Sequence, residues 1–154
     1  MRGKAVMLTA LVLLAGCVKE SAVAPPAPSP SPLTAKEQKL AEAFIRHRSP
    51  HPVELARVVA RMKRPRLAAA QAIIESNANK HAVGSSGERG VWQIIEKEWG
   101  AVSDDLKGQS DQYEEIMEGL IKGSQGNLRR ALGKYNGDRS GRYAQKVMAQ
   151  VARL

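Results

Sequence analysis

Pro65-Arg-Leu-Ala-Ala-Ala-Gln-Ala-Ile-Ile-Glu75-Ser-Asn-Ala-Asn-Lys-His-Ala-Val-Gly-Ser-Ser-Gly-Glu-Arg-Gly-Val-Trp-Gln93 runs from a helix start into a long polar loop. Pro65 suits a first helical turn, where its ring presets the backbone and no N–H is required. Leu67, Ala70, Ile73 and Ile74 then recur at helical spacing and predict the inward face. Asn77 to Gly90 is polar and glycine-rich, which predicts a loop, and Val91 to Trp99 predicts a further helix. The same periodicity continues on both sides. Thr34 caps a helix carrying Leu40, Ala43, Phe44 and Ile45, which Ser49-Pro50-His51-Pro52 breaks. Pro52 opens the next, with Leu55, Val58, Val59 and Met62 as its apolar stripe. Downstream, Ser110 to Leu120 predicts a capped helix closed by Gly123. Asn127 to Tyr135 and Tyr143 to Val151 predict two more, joined by the turn Asn136 to Gly141. Two-residue alternation is almost absent. The expected fold class is all-α, a small helical domain over residues 34–154 with one hydrophobic core.

Composition agrees. Of 154 residues, 43% are hydrophobic and 25% charged, which is globular usage and excludes a wholly disordered chain. Phe44, Trp92, Trp99, Tyr113, Tyr135 and Tyr143 are the only aromatics, so Ala, Val, Leu and Ile must build the core. Such small side chains suit closely packed helices better than a β-sandwich. With 24 basic and 15 acidic residues the chain carries +9, which favours an anionic partner: nucleic acid, a membrane surface or a cell wall. A single cysteine excludes a disulfide framework within the chain.

The N-terminus narrows that choice. Arg2 and Lys4 precede an apolar run from Ala5 to Ala15, which is too short for the roughly 20 residues of a membrane span. Its proportions are those of a secretory signal, residues 1–16. Leu14-Ala15-Gly16-Cys17 resembles a bacterial lipobox, so Cys17 is the expected lipidation site. Cleavage before Cys17 removes two basic residues and leaves +7. Residues 17–33 then read as a semi-rigid spacer, because the prolines of Ala22 to Pro32 favour extended polyproline-II backbone. The expected location is the bacterial cell envelope, lipid-anchored and facing the periplasm. Val18 after the cysteine, with no aspartate for inner-membrane retention, favours the outer membrane. Export excludes nucleic acid as the partner.

Glu75 can be a solvated surface glutamate or a residue with chemical promise. It follows Ile73-Ile74 at the C-terminal end of its helix, where apolar surroundings and the negative end of the helix dipole both disfavour the ionised form. A carboxyl still protonated near neutrality can give its proton to a glycosidic oxygen. Gln93 can be a satisfied helix residue or can hydrogen-bond a sugar hydroxyl or acetamide. Trp92 can be core or a stacking platform for a saccharide face, and Tyr135 can be a packed core phenol or a site residue.

Glu75-Ser76, Asn79, Ala82, Gly87, Gly90 and Gln93, followed by Tyr135-Asn136, Tyr143 and Lys146-Val147, resemble the lytic transglycosylases of the soluble (SLT) type. That family's fold is similar to goose-type lysozyme. The resemblance covers residues 64 to 148 and rests on separated blocks in one order. It implies a lysozyme-like helical domain with a saccharide-binding groove. Glu75 is the implied catalytic acid, Ser76, Gln93, Tyr135 and Asn136 are the implied substrate-side residues, and Trp92, where the family usually has Met, is a secondary candidate. Tyr135 is implied to point its hydroxyl at Glu75, and Asn136 to contact the sugar chain. The implied reaction cleaves the β-1,4 bond between N-acetylmuramic acid and N-acetylglucosamine and closes a 1,6-anhydro ring. Glu75 serves in it as acid and then base. Glu88, Glu96 and Glu98 have no comparable claim as a second carboxylate. The chain departs from the pattern at Ala78, Lys80, Lys134 and Gly84, the last standing where the family has a serine implied to hold the sugar's acetamide.

Peptidoglycan strands are therefore the expected partner, with the membrane engaged through the lipid anchor and the enzyme acting as a monomer. No cofactor and no metal are expected, since Pro50 and Pro52 separate His47 from His51 and no third ligand is evident. Rival readings are a lysozyme-like muramidase using water, a non-catalytic wall-binding lipoprotein, and a cationic membrane-surface module.

Overall fold

Residues 68–73 of the helix α3 (Pro65–Ser76) are buried on every side, so this helix lies inside the domain. The sequence explains it: Ala68, Ala69, Ala70 and Ala72 are small enough for neighbouring helices to approach from several directions. The stripe expected at Leu67, Ala70, Ile73 and Ile74 is thus too narrow, and Ile74 is only partly buried. A computed structural model describes residues 31–154, of which Pro32–Leu154 form one compact unit. The signal run, Cys17 and most of the proline-rich spacer lie outside the described residues.

Among the described residues, two helices precede α3. α1 (Ala35–Arg46) starts with the expected Thr34 cap, completed by Glu37, whose carboxylate accepts the Thr34 N–H at 2.8 Å. α2 (Pro52–Val59) carries its proline in the first turn and packs on α1. Ile45, expected inward, is 58% exposed.

After α3 the chain forms a loop and a minimal antiparallel hairpin, β1 (Glu88–Arg89) with β2 (Ile94–Ile95). The helix expected over 91–99 is therefore reduced to one turn, α4 (Glu96–Trp99). Gly90 and Gln93 both take left-handed backbone angles, and that reversal excludes a continuous helix. α5 (Leu106–Lys122) begins four residues before the expected Ser110, because Asp105 caps it by accepting the Gly108 N–H at 2.8 Å. α6 (Leu128–Asn136) and α7 (Arg142–Ala152) each lie within one residue of expectation, and Asn127 caps α6 by accepting the Arg130 N–H. α7 packs against both α3 and α6, and α5 against α6 and α2. Phe44, Leu55, Trp92, Ile94 and Leu132 are at most 2% exposed. Each such buried side chain contributes roughly 1.5–3 kcal/mol. The described domain is helical apart from the hairpin, in agreement with the all-α expectation.

Candidate active site

Glu75 occupies the last turn of α3, and the chain leaves that helix by an unusual route. Asn77 and Ala78 both have positive φ, at 52° and 61°. The Ala78 N–H donates back to the Ala72 carbonyl at 2.8 Å, a six-residue closure that terminates the helix. A left-handed alanine costs about 1 kcal/mol. Its own carbonyl accepts the buried Ser49 hydroxyl at 2.8 Å, which holds the turn in place. The loop is thereby turned back toward the end of α3, where Ser76 meets it.

Ser76 fastens the returning hairpin. Its hydroxyl donates to the Val91 carbonyl at 2.7 Å and accepts the Asn79 N–H at 3.0 Å. The residue expected to touch substrate is thus committed to backbone, and its role is to position the loop. Gln109, from α5, is a second fastener and only 1% exposed. Its amide accepts the Val91 N–H at 2.9 Å and donates to the carbonyls of Lys80 at 3.0 Å and Ser103 at 2.9 Å. Gly90 makes this possible: a Cβ there would lie 2.4 Å from the Gln109 Oε1, and its φ of 77° favours glycine.

Three tyrosines converge on this region, and their roles differ from expectation. The Tyr143 hydroxyl, from the first turn of α7, donates to the Glu75 Oε1. Tyr135, implied to do so, instead donates to the Trp92 carbonyl at 2.6 Å and stands edge-on to Tyr113. The correction has a simple cause. α7 packs along α3 and brings Tyr143 alongside Glu75, whereas α6 packs on α5 and α7. Trp92 is fully buried, stacked on Tyr113 with centroids 4.7 Å apart, and its Nε1–H donates to the Ala68 carbonyl at 2.9 Å. With no exposed face it cannot be a saccharide platform, so the core reading holds.

Behind Glu75 runs a directed chain of hydrogen bonds. Tyr113 donates to the Gln71 Oε1 at 2.6 Å, Gln71 donates to the Tyr143 hydroxyl at 3.0 Å, and Tyr143 donates to Glu75. Burial pushes both phenols up, so they remain neutral donors at physiological pH. Glu75 itself is partly buried and its carboxyl is raised above the usual range, chiefly by desolvation. The Tyr143 hydrogen bond and the charge of Lys146 oppose that rise, while the like charge of Glu88 reinforces it. Since Tyr143 engages Oε1, the proton of the neutral acid belongs on Oε2. Sequence reading missed Gln71 and Tyr113. The signal was available: Gln71 is a polar residue within an alanine run, one turn before Glu75 on the same helical face.

Gln93 lies partly buried in the loop. Its amide N–H₂ donates to the carbonyls of Gly90 at 3.0 Å and Ala82 at 3.3 Å. Its Oε1 makes no hydrogen bond among the described residues and is left to accept one from a ligand. Asn136 ends α6, exposed, with no side-chain partner among the described residues. Asp138, just beyond, holds the start of α7. It accepts the Tyr143 N–H at 2.7 Å, and the Ser140 hydroxyl together with the Tyr143 and Ser140 N–H groups draws its carboxyl down to about 2. Next to Asn136 an open hollow of about 730 Å³ lies between α6 and the 137–141 turn, lined in part by Arg129, Arg130, Lys134 and Arg139.

Comparison with family models matches residues 55–149, more than half of the chain, to the transglycosylase SLT domain. Comparison with curated proteins and with solved structures gives no match.

Proposed function

The chain belongs to the transglycosylase SLT domain family, and from that premise we propose that it cleaves the β-1,4 bond between N-acetylmuramic acid and N-acetylglucosamine in peptidoglycan, leaving a 1,6-anhydro end. The observation that carries the reading is the Glu75 carboxyl: half-buried, raised by desolvation, and clamped at one oxygen by Tyr143.

The proposed steps use that carboxyl twice. Neutral Glu75 gives the proton on Oε2 to the bridging oxygen, and the C1–O bond breaks as the substrate's own acetamide oxygen bonds to C1. The now ionised Glu75 takes the proton of the muramyl C6 hydroxyl. O6 then bonds to C1, the acetamide leaves, and Glu75 is again protonated. No water enters. The Tyr143 hydroxyl stabilises the carboxylate in the middle of this cycle, and the fixed chain through Gln71 to Tyr113 keeps it aimed without reorganisation. Gln93 Oε1 and exposed Asn136 are the groups left to hold the glycan. The basic hollow beside Asn136 fits an anionic wall polymer.

The same proposal extends to placement. A lipid on Cys17 and the proline-rich spacer tether the domain to the bacterial envelope, facing the periplasm, and raise its concentration at the wall.

Digestion of purified sacculi by the full-length protein tests the chemistry. Released muropeptides should carry 1,6-anhydro ends, lighter by one water than hydrolytic products. Reducing ends would instead assign a muramidase, and no release would remove the enzyme.

A further inference from the structure

Gly84 has no room for a side chain. A Cβ built there would lie 2.2 Å from the Glu88 Oε2, 2.9 Å from its Cδ and 2.8 Å from the Gln93 Oε1. Two acceptor oxygens, one from β1 and one from the hairpin turn, therefore meet over a bare backbone position. The donors around them are few. The Ser86 N–H donates to the Glu88 Oε2 at 2.9 Å, and Gln93 spends its own N–H₂ on Gly90 and Ala82. Among the described residues no cation pairs with Glu88. Its neighbour Arg89 turns to Glu96 at 3.7 Å and Asp104 at 3.5 Å. Glu88 is partly buried and near enough to act on Glu75 through their like charges.

A half-buried carboxylate without a cation, beside a second acceptor and an acid of like charge, lacks a positively charged donor. The reaction makes one. When the acetamide oxygen bonds to C1, the positive charge of the resulting ring spreads onto the acetamide nitrogen, which still carries its hydrogen. A fixed anion at that place stabilises the charge as it develops, at no cost in reorganisation. Glycosidases commonly use a second carboxylate near the acid.

We propose that Glu88 is a further catalytic residue, whose carboxylate, seated over Gly84 beside Gln93, accepts the N–H of the substrate's 2-acetamido group and stabilises the oxazolinium cation formed on bond cleavage. This rests on the peptidoglycan reading above. The hydrogen bond forms as charge grows on nitrogen, the proton stays on that nitrogen, and the bond weakens again when O6 displaces the acetamide.

The experiment compares full-length wild type with Glu88→Gln on two substrates, native sacculi and sacculi whose muramyl residues are N-deacetylated. The amide keeps an acceptor for Ser86, so unfolding temperature should not move. On native sacculi kcat should fall about 100-fold with little change in KM. The alkaline limb of the pH profile should move to lower pH, because a like charge has left the vicinity of Glu75. On deacetylated sacculi both proteins should fall to the same residual rate. Glu88→Gln within threefold of wild type on native sacculi would overturn the proposal and leave the parent reading intact. An equal fractional loss on both substrates would do the same. A wild type inactive on native sacculi would overturn both.

Discussion

Glu75→Gln should lower the release of muropeptides from sacculi by about a thousandfold, the scale expected when a general acid is removed. The amide is nearly the same shape, and its carbonyl oxygen still accepts from Tyr143, so the loss measures the proton and not the fold. Stability should move the other way. The folded-state pKa of Glu75 lies above the ordinary value of 4.5, with desolvation as the leading cause. Across that window the native state holds a proton that the unfolded chain has released, so wild-type stability falls as pH rises and levels off above the window. The amide has no charge to desolvate. Urea unfolding should therefore give equal stabilities in acid and a more stable variant at neutral pH, a site kept at the expense of the fold. A variant as active as wild type would remove Glu75 from the chemistry.

Gln109→Leu should destabilise the domain by about 3 kcal/mol. Leucine fills a similar volume, yet it strands the Val91 N–H and the carbonyls of Lys80 and Ser103, which Gln109 now satisfies. Unsatisfied buried groups cost roughly 1–3 kcal/mol each, and partial access to water reduces the sum. Since the same bonds fasten the hairpin that carries Glu88 and Gln93, activity should fall beyond what unfolding explains. A loss below 0.5 kcal/mol by urea denaturation would show that the hairpin is held by packing alone.

Much of this architecture could be read from residue types. Thr34, Pro52 and Pro65 start their helices where capping and first-turn chemistry put them, and Glu75 stands out because two isoleucines precede it at a helix end. What escaped reading has physical causes. Alanine carries little periodic signal, so α3 reads as a one-sided helix although its neighbours bury it all round. A two-residue hairpin is decided by the left-handed angles at Gly90 and Gln93 and by Gln109 reaching in from α5, not by alternation. The resemblance points to Tyr135, and only the packing of α7 on α3 shows that Tyr143 takes the place beside Glu75. Glu88 likewise gains its place from a missing side chain at Gly84, a relation visible only once the strand has folded back.

The central claim is that desolvation raises the Glu75 carboxyl above its ordinary value. Side-chain carboxyl NMR, with Glu75 assigned by its absence in Glu75→Gln, measures this directly. Glu75 should titrate above the ordinary glutamate value, and higher still in Tyr143→Phe, which removes the hydrogen bond that favours its ionised form. A Glu75 resonance titrating at or below the ordinary glutamate value, unmoved by loss of the Tyr143 hydroxyl, would contradict the account.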